Sequence, residues 1–593
     1  MITATRRLDL FKTTAVSVLA LIALSQAGAA RGQAIERNLP PAPPTPATPV
    51  LAPNATPSDQ DDRPIGPTLS GLLLLGPGDP ARADPIQGVN TALVARLNVT
   101  EPRAELDAFL GKPLSRKLIA RIEATIARYY RHNGYPFISI STPPQTIGAG
   151  MLQVRVVEFH AGAVSVTGVK APAADHIRRD VRLQTDQSID AVDLTADLDW
   201  LNRYPFRHAE AVFSPGDTLG RSNLDLQVTL ERPWQVYAGY ANSGSPSTGW
   251  DRYYLGGQVG GLLGPGSLAS YQFTASPDFF DDHGDAFGDT SHPRYLSHGV
   301  RVSIPTGARQ EFEATFDHVE TNIFADPFMV RQQTDELSVG YRTSMSNFVR
   351  LPGDIFTGLE LKTEKRTTFF DGADVLNKNV NVYQLYGGWA NAWSDIGGHN
   401  AFNLVVHGSP GGVDIHNNDD AFATFSNGRV TSSDYVYATA QFNRTTRLPG
   451  GWTVTNALIG QYAGSALPDT EQMGVGGPDL VRGYTLDDGS YDSAIVSRNE
   501  LRTPTFPLLG ARGFLADQLS PYAFVDAAYG SSRAVKVEVH PTSVGLGADY
   551  QLTAHLAASA AVAYDLSDGL RTQDGVRTHD GDWLLQSRVT LSY

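Results

Sequence analysis

No cysteine occurs among the 593 residues. That removes a disulfide scaffold, a thiolate zinc site and a cysteine nucleophile together. A basic excess is missing as well. With 47 Lys and Arg against 62 Asp and Glu, the formal net charge is −15, whereas a nucleic-acid partner needs a cationic footprint. After the first 30 residues no apolar run approaches the roughly 20 residues of a membrane-spanning helix, and the mean hydropathy of −0.21 does not suit a bundle of such helices. Catalytic signatures are wanting too. The chain contains no G-x-S-x-G, no H-E-x-x-H and no P-loop Gly-Lys-Ser/Thr, the spacings that nucleophile elbows, zinc hydrolases and phosphate cradles require. Neither an enzymatic reaction nor a cofactor is expected.

What is present is glycine (57 residues) and the two aromatics Tyr (23) and Phe (25). Glycine serves turns, and aromatics serve strands and interfacial girdles, so the composition suits a β-rich protein. At the N-terminus, Arg6, Arg7 and Lys12 precede the apolar run Ala15 to Leu24, and Ala27-Gly28-Ala29 follows. This is the charged, apolar, small-residue layout of a secretory signal peptide, expected over residues 1–29. If the mature chain sits in a membrane, it must cross as a closed barrel.

Residues 30–85 carry Pro40, Pro41, Pro43, Pro44, Pro46, Pro49, Pro53, Pro57, Pro64 and Pro67. So much proline favours extended, solvated chain, and the segment reads as a linker interrupted by one apolar patch, Leu69 to Leu75. Residues 86–160 read as a small α/β unit. Ser115 is a candidate N-cap, Leu118, Ile122, Ile126 and Tyr130 follow at steps of four, and Gly134 stands where a glycine ends a helix. Strands are expected at Phe137 to Ser141 and Leu152 to Phe159. Residues 161–233 repeat the plan, with a second helix starting near Asp190 and strands at Ala163 to Val169, Ala209 to Phe213 and Leu224 to Leu230.

From about residue 234 the pattern turns to period two and stays there. Val300, Val302 and Ile304 alternate with Gly299, Arg301 and Ser303, and Val544, Leu546, Ala548 and Tyr550 with Ser543, Gly545, Gly547 and Asp549. The chain ends on Trp583, Leu585, Val589, Leu591 and Tyr593 set against Gln586, Arg588, Thr590 and Ser592. A polar row that includes charge, opposite an apolar row flanked by aromatics, is the lumen-in, lipid-out signature of a transmembrane antiparallel β-barrel. At roughly 20 to 25 residues per strand and connection, residues 234–593 supply about 16 strands.

One segment, Gly474 to Ser490, breaks the alternation, with Arg482 in its middle. As a plain extracellular loop it has good turn chemistry. Folded into a lumen, its guanidinium would need a carboxylate, because a buried unpaired charge is costly. The run Tyr522 to Tyr529 offers one. With Ala523, Val525, Ala527 and Tyr529 outward, Phe524 and Asp526 face inward, and a bidentate pair can form. Acidic clusters at Asp278, Asp281, Asp282, His283, Asp285 and Asp289, and at His416, Asp419 and Asp420, have calcium-like composition. Solvated loops account for both, and no metal is expected.

Leu480-Val481-Arg482-Gly483-Tyr484 resembles the loop signature of the Omp85 superfamily, and Phe524-Val525-Asp526 its partner strand. Gly134-Tyr135, Pro144-Gln145 and Gly150-Met151-Leu152 resemble the first POTRA domain of two-partner secretion transporters, the TpsB family. Trp200-Leu201-Asn202-Arg203-Tyr204-Pro205-Phe206 and Glu231-Arg232-Pro233 resemble its second POTRA domain and the junction with the barrel. The resemblance implies two POTRA domains before a 16-stranded outer-membrane barrel, POTRA domains in the periplasm, and a pore loop locked by Arg482 and Asp526. Val481, Gly483, Tyr484 and Phe524 would support the lock, and Tyr135, Gln145 and Leu152 are candidates for partner docking. The expected partners are a secreted exoprotein with an N-terminal secretion domain, outer-membrane lipid and the barrel-assembly machinery. The family often carries an N-terminal plug helix. Residues 30–85, the candidate plug region, show no long amphipathic helix. An insertase of the same superfamily and a passive porin remain the rival readings.

Overall fold

The computed structural model describes residues 36, 38–40, 59–147, 149–218, 220–281, 293–325, 328–370, 373–509, 517–572, 575, 576 and 578–593. The signal-peptide expectation and most of the acidic cluster after Asp278 lie outside these residues. Two compact units emerge. One comprises the described residues of Thr48–Asn202 with Arg207–Leu230; the other comprises those of Glu231–Tyr593 with Arg203–Phe206, residue 36 and residues 38–40.

The first unit contains two modules of one topology. In the first, the order is strand Gly71–Leu75, helices Thr100–Asp107 and Arg116–His132, then strands Ile138–Ser141 and Met151–Glu158. In the second, it is strand His160–Thr167, helices Ala171–Asp180 and Ala191–Leu201, then strands Arg207–Pro215 and Arg221–Leu230. In each, the opening strand pairs in parallel with the closing strand, and the strand between pairs antiparallel to the closing one.

This shared path corrects one expectation. Leu72 to Leu75, assigned to the linker, form a central strand of the first sheet, flanked by Gly88–Asn90 and Met151–Glu158. All four leucines are fully buried. A strand covered on both faces has no alternation, so five apolar-side residues between prolines carry no periodic signal. The module therefore begins before residue 86.

The helix starts obey capping chemistry. The Ser115 hydroxyl accepts the Leu118 N–H at 3.2 Å, and the Asp190 carboxylate accepts those of Val192 (2.9 Å) and Asp193 (3.3 Å). Gly134 ends the longer helix at φ +86°, a conformation that favours glycine. Leu118, Ile122, Ile126 and Tyr130 then pack on Leu72, Leu74, Leu152, Val154 and Val156. In the second module Leu194, Leu198 and Leu201 pack on Ala209, Leu224, Leu226 and Val228. Asn202 closes that module, exchanging two hydrogen bonds with the Ala209 backbone at 2.7 and 3.0 Å.

Among the described residues, the second unit is a closed antiparallel barrel of sixteen long strands, from Trp234–Ala241 to Trp583–Ser592. A two-residue strand, Glu538–Val539, adds to the rim of the thirteenth. Closure comes from Tyr237–Ala241 pairing with Arg588–Ser592. Closing the sheet satisfies every ladder hydrogen bond, which is what permits strands in lipid. The sixth, seventh and eighth strands run 17, 17 and 23 residues, beyond the 9 to 11 or so that cross a bilayer. Alternation holds as the sequence implies: Val525, Leu546, Leu585 and Trp583 are outward and exposed, while Phe524, Asp526 and Ser543 are inward and buried. At the seam, Arg232 lies over the Trp234 and Tyr593 rings at 4.7 and 4.5 Å.

The barrel unit includes residues from the N-terminal segment. The Glu36 carboxylate receives the Arg252 guanidinium at 2.6 and 3.0 Å. The Tyr295 hydroxyl donates to the Glu36 carbonyl at 2.7 Å and accepts from the Asn38 side chain at 2.8 Å. Pro40 lies against Gly299, where a Cβ would come within 3.0 Å of its ring. This part of the candidate plug region is therefore in contact with the lumen face and is not helical.

Candidate functional site

The connection between the eleventh strand, Thr453–Ala463, and the twelfth, Ser493–Arg502, carries the Arg482 motif. Val475, Val481, Arg482 and Tyr484 in it are all buried. Their partners are inward residues of the wall, so the loop is folded into the lumen.

Arg482 is held from two strands. Its Nε donates to Asp526 Oδ2 at 2.6 Å and its Nη2 to Asp526 Oδ1 at 2.8 Å, the bidentate geometry that matches a planar guanidinium to a carboxylate. Nη1 donates to Glu500 at 2.7 Å on the neighbouring strand. The Phe524 ring lies 3.6 Å beneath the guanidinium. Burial alone would lower the Arg482 pKa, but the Asp526 and Glu500 carboxylates outweigh it and hold the group firmly protonated. The Arg482 carbonyl accepts from the Ser543 hydroxyl at 2.5 Å, adding a third strand.

The flanking residues shape the turn. Val481 donates its N–H to the Val475 carbonyl at 3.1 Å, closing the loop on itself. Gly483 has φ +97°, and a Cβ there would lie 1.9 Å from Asp565 Oδ1. Only glycine meets both demands. The Tyr484 hydroxyl donates to the Ser567 carbonyl at 2.5 Å and accepts from the Thr542 N–H at 3.3 Å. Thr485 and Asp488 form a capping box that finishes the motif.

The fold brings Arg482, Asp526, Val481, Gly483, Tyr484 and Phe524 together. Glu500 was missed. Its signal is the inward row Arg498, Glu500, Arg502, three charges at alternate positions of one strand. The docking candidates fare differently. Leu152 is buried in the first module's core and cannot meet a partner without unfolding it. The Gln145 amide is committed to the Gln153 backbone, accepting its N–H and donating to its carbonyl, both at 2.7 Å. Tyr135 is half-buried, with the Arg96 guanidinium 3.5 Å over its ring. All three thus have structural roles; Tyr135 and Gln145 are half-buried, and Leu152 is fully buried.

Asp419 is likewise occupied, accepting from the Ser433 N–H and hydroxyl, both at 2.8 Å. Among the described residues no group of three or more His, Asp or Glu side chains is placed to hold a metal.

A sixteen-stranded closed barrel, tandem β-α-α-β-β modules and an arginine-anchored lumen loop define a transmembrane β-barrel protein with two small α/β domains before the barrel. Comparison with known proteins is more specific. Residues 220–550 match the family model for the haemolysin secretion/activation protein ShlB/FhaC/HecB, and residues 85–158 match the ShlB-type POTRA domain. The chain belongs to the ShlB/FhaC/HecB family of two-partner secretion transporters.

Among curated relatives, the heme/hemopexin transporter protein HuxB of Haemophilus influenzae is 22% identical over 79% of this chain and 81% of its own length. The outer membrane transporter CdiB of Dickeya dadantii is 22% identical over 69% and 70%. Among solved structures, CdiB from Escherichia coli superposes with a TM-score of 0.65 at 15% identity, covering 100% of this chain and 99% of that one. CdiB from Acinetobacter baumannii gives 0.55 at 12% identity, with both chains fully covered. The barrel is an outer-membrane barrel, and its POTRA domains are periplasmic.

Proposed function

We propose that this transporter secretes a large partner exoprotein, haemolysin- or adhesin-like, across the outer membrane. The partner arrives unfolded in the periplasm, docks its N-terminal secretion domain on the POTRA domains and threads the lumen. Exposed strand edges such as Ile138–Ser141 suit an extended peptide, which adds as a strand. No ATP is consumed and no covalent bond is made or broken; folding outside the cell supplies direction. Outer-membrane lipid and the barrel-assembly machinery are the chain's other partners, and the latter places the barrel.

The observation that carries the reading is the Arg482–Asp526 pair. A loop held to the inner wall in this way lies on the path proposed for the cargo, so passage would require it to rearrange. Arg482 and Asp526 are the lock, with Val481, Gly483, Tyr484 and Phe524 its support. HuxB is named as a heme/hemopexin transporter protein and CdiB as an outer membrane transporter, which supports a transport role here.

The test is secretion of the large exported protein encoded beside this gene, in cells with and without the chain. Appearance in the medium only when the chain is present sustains the proposal. A partner retained in the periplasm in both strains, or a general loss of outer-membrane barrels on depletion, would transfer the assignment to a porin or an insertase.

A further inference from the structure

The lumen loop makes a second set of charged contacts far from Asp526. Glu471, near the loop's start, is buried, and its Oε1 lies 2.7 Å from the Lys362 ammonium on the seventh strand, Asp354–Phe370. Its Oε2 accepts from the Tyr437 hydroxyl at 2.6 Å and from the Gln384 amide at 2.9 Å, on the tenth and eighth strands. Burial alone would raise the Glu471 carboxyl; the Lys362 ammonium outweighs it and holds the group ionised. Two residues earlier, Asp469 receives Arg366 of the seventh strand at 2.8 Å and also Arg429. Arg429 follows the short helix Asp419–Phe425 and donates to the Leu467 carbonyl at 2.7 Å. Phe425 of that helix lies beneath the Arg366 guanidinium at 4.6 Å.

Asp526 belongs to the thirteenth strand and Lys362 to the seventh. Six strand spacings, roughly 29 Å of wall, separate them. We infer that the loop is double-anchored, with Asp469 and Glu471 holding it to the wall around Lys362 and Arg366 as Arg482 holds it at Asp526. Releasing either anchor alone frees only one end. A passing chain must displace both, so the Glu471–Lys362 pair is a positioning contact for gating. This inference rests on the transport reading, but its test does not involve secretion, so the two can fail separately.

The absence of cysteine leaves a clean background for one reporter. Val475 lies between the anchors and is fully buried. In a Val475→Cys protein in detergent, the rate of maleimide labelling reads how often the loop leaves its seat. Glu471→Gln keeps the side-chain shape, and Lys362 retains Glu336 and Glu360 at 3.5 and 3.6 Å. Labelling should rise about tenfold with Glu471→Gln, the change expected on losing one charge-assisted bond. Combined with Arg482→Ala, it should exceed either single variant, and spontaneous channel openings in planar bilayers should follow the same order. A Glu471→Gln rate equal to the parent's, or a combined rate no higher than that of Arg482→Ala alone, would overturn the second anchor. Heat-modifiable gel mobility confirms a folded barrel throughout. Should Glu471→Gln fail that check, Asp469→Asn is read against the same two outcomes.

Discussion

Gly483 and Asp565 approach so closely that a methyl group on the glycine would stand 1.9 Å from the carboxylate oxygen. The loop tip is therefore fitted to the wall by the lack of a side chain as much as by the Arg482 ion pair. Four expectations follow from this and related contacts.

Gly483→Ala adds the clash and places an L-residue at φ +97°, a strain of about 1–3 kcal/mol before the collision is counted. The loop should leave its seat while the barrel stays folded, raising single-channel conductance in planar bilayers. Adding Asp565→Ala should restore closure in part, since it clears the space but leaves the backbone strain. Unchanged conductance in Gly483→Ala would show that the tip can shift without cost.

Asp526→Ala leaves the Arg482 guanidinium with Glu500 as its remaining carboxylate, and breaking a buried pair on one side costs about 3–5 kcal/mol. Arg482→Lys keeps the charge but loses the fork, so it should behave as a partial loss. The double variant Arg482→Ala/Asp526→Ala should cost less than the two single changes added together, because no buried charge is stranded. Thermal unfolding in detergent and partner secretion measure the two sides of this prediction. Strict additivity in both would mean the residues act independently.

In the first POTRA domain, Leu72→Ala removes a fully buried side chain from a central strand, a loss of about 2–5 kcal/mol. Trypsin should then cut within residues 86–160 at concentrations that leave the parent intact, while the barrel keeps its heat-modifiable mobility. Equal resistance would remove Gly71–Leu75 from the folding core.

Burial raises the Asp488 carboxyl above its ordinary value, although the Thr485 N–H and the Thr578 hydroxyl pull the other way. An acid raised in the folded state stabilises it most when protonated, below its unfolded pKa, and loses that contribution as pH rises through the folded value. Asp488→Asn should therefore gain thermal stability over the parent at neutral pH, and the gain should shrink as the pH falls toward the ordinary carboxylate range. A pH-independent difference between the two melting curves would contradict the assignment.

How much of this was legible in the sequence depended on period and locality. Ser115, Asp190 and Gly134 act within one helical turn, so caps and stops could be read directly. Asp526 could be placed inward because its neighbours Val525 and Ala527 are apolar and the strand period is two. Leu72 to Leu75 could not be placed, since burial on both faces erases the alternation. Glu471 was invisible for a different reason. Its partner Lys362 is 109 positions away in a strand whose inward row is Glu360, Lys362 and Glu364, so nothing local distinguishes a loop anchor from wall charge.

The seating of Glu36 on Arg252 constrains the order of assembly. Segments from before the POTRA domains and from between the eleventh and twelfth strands both lie against the inner wall, and the barrel is complete only when its first and last strands zip along Tyr237–Ala241. A closed cylinder is harder to fill than an open, curling sheet. The N-terminal segment is synthesised first, so it can wait for the sheet to curl around it, whereas a chain lacking Glu36, Asn38 and Pro40 would close without their contacts to Arg252, Tyr295 and Gly299.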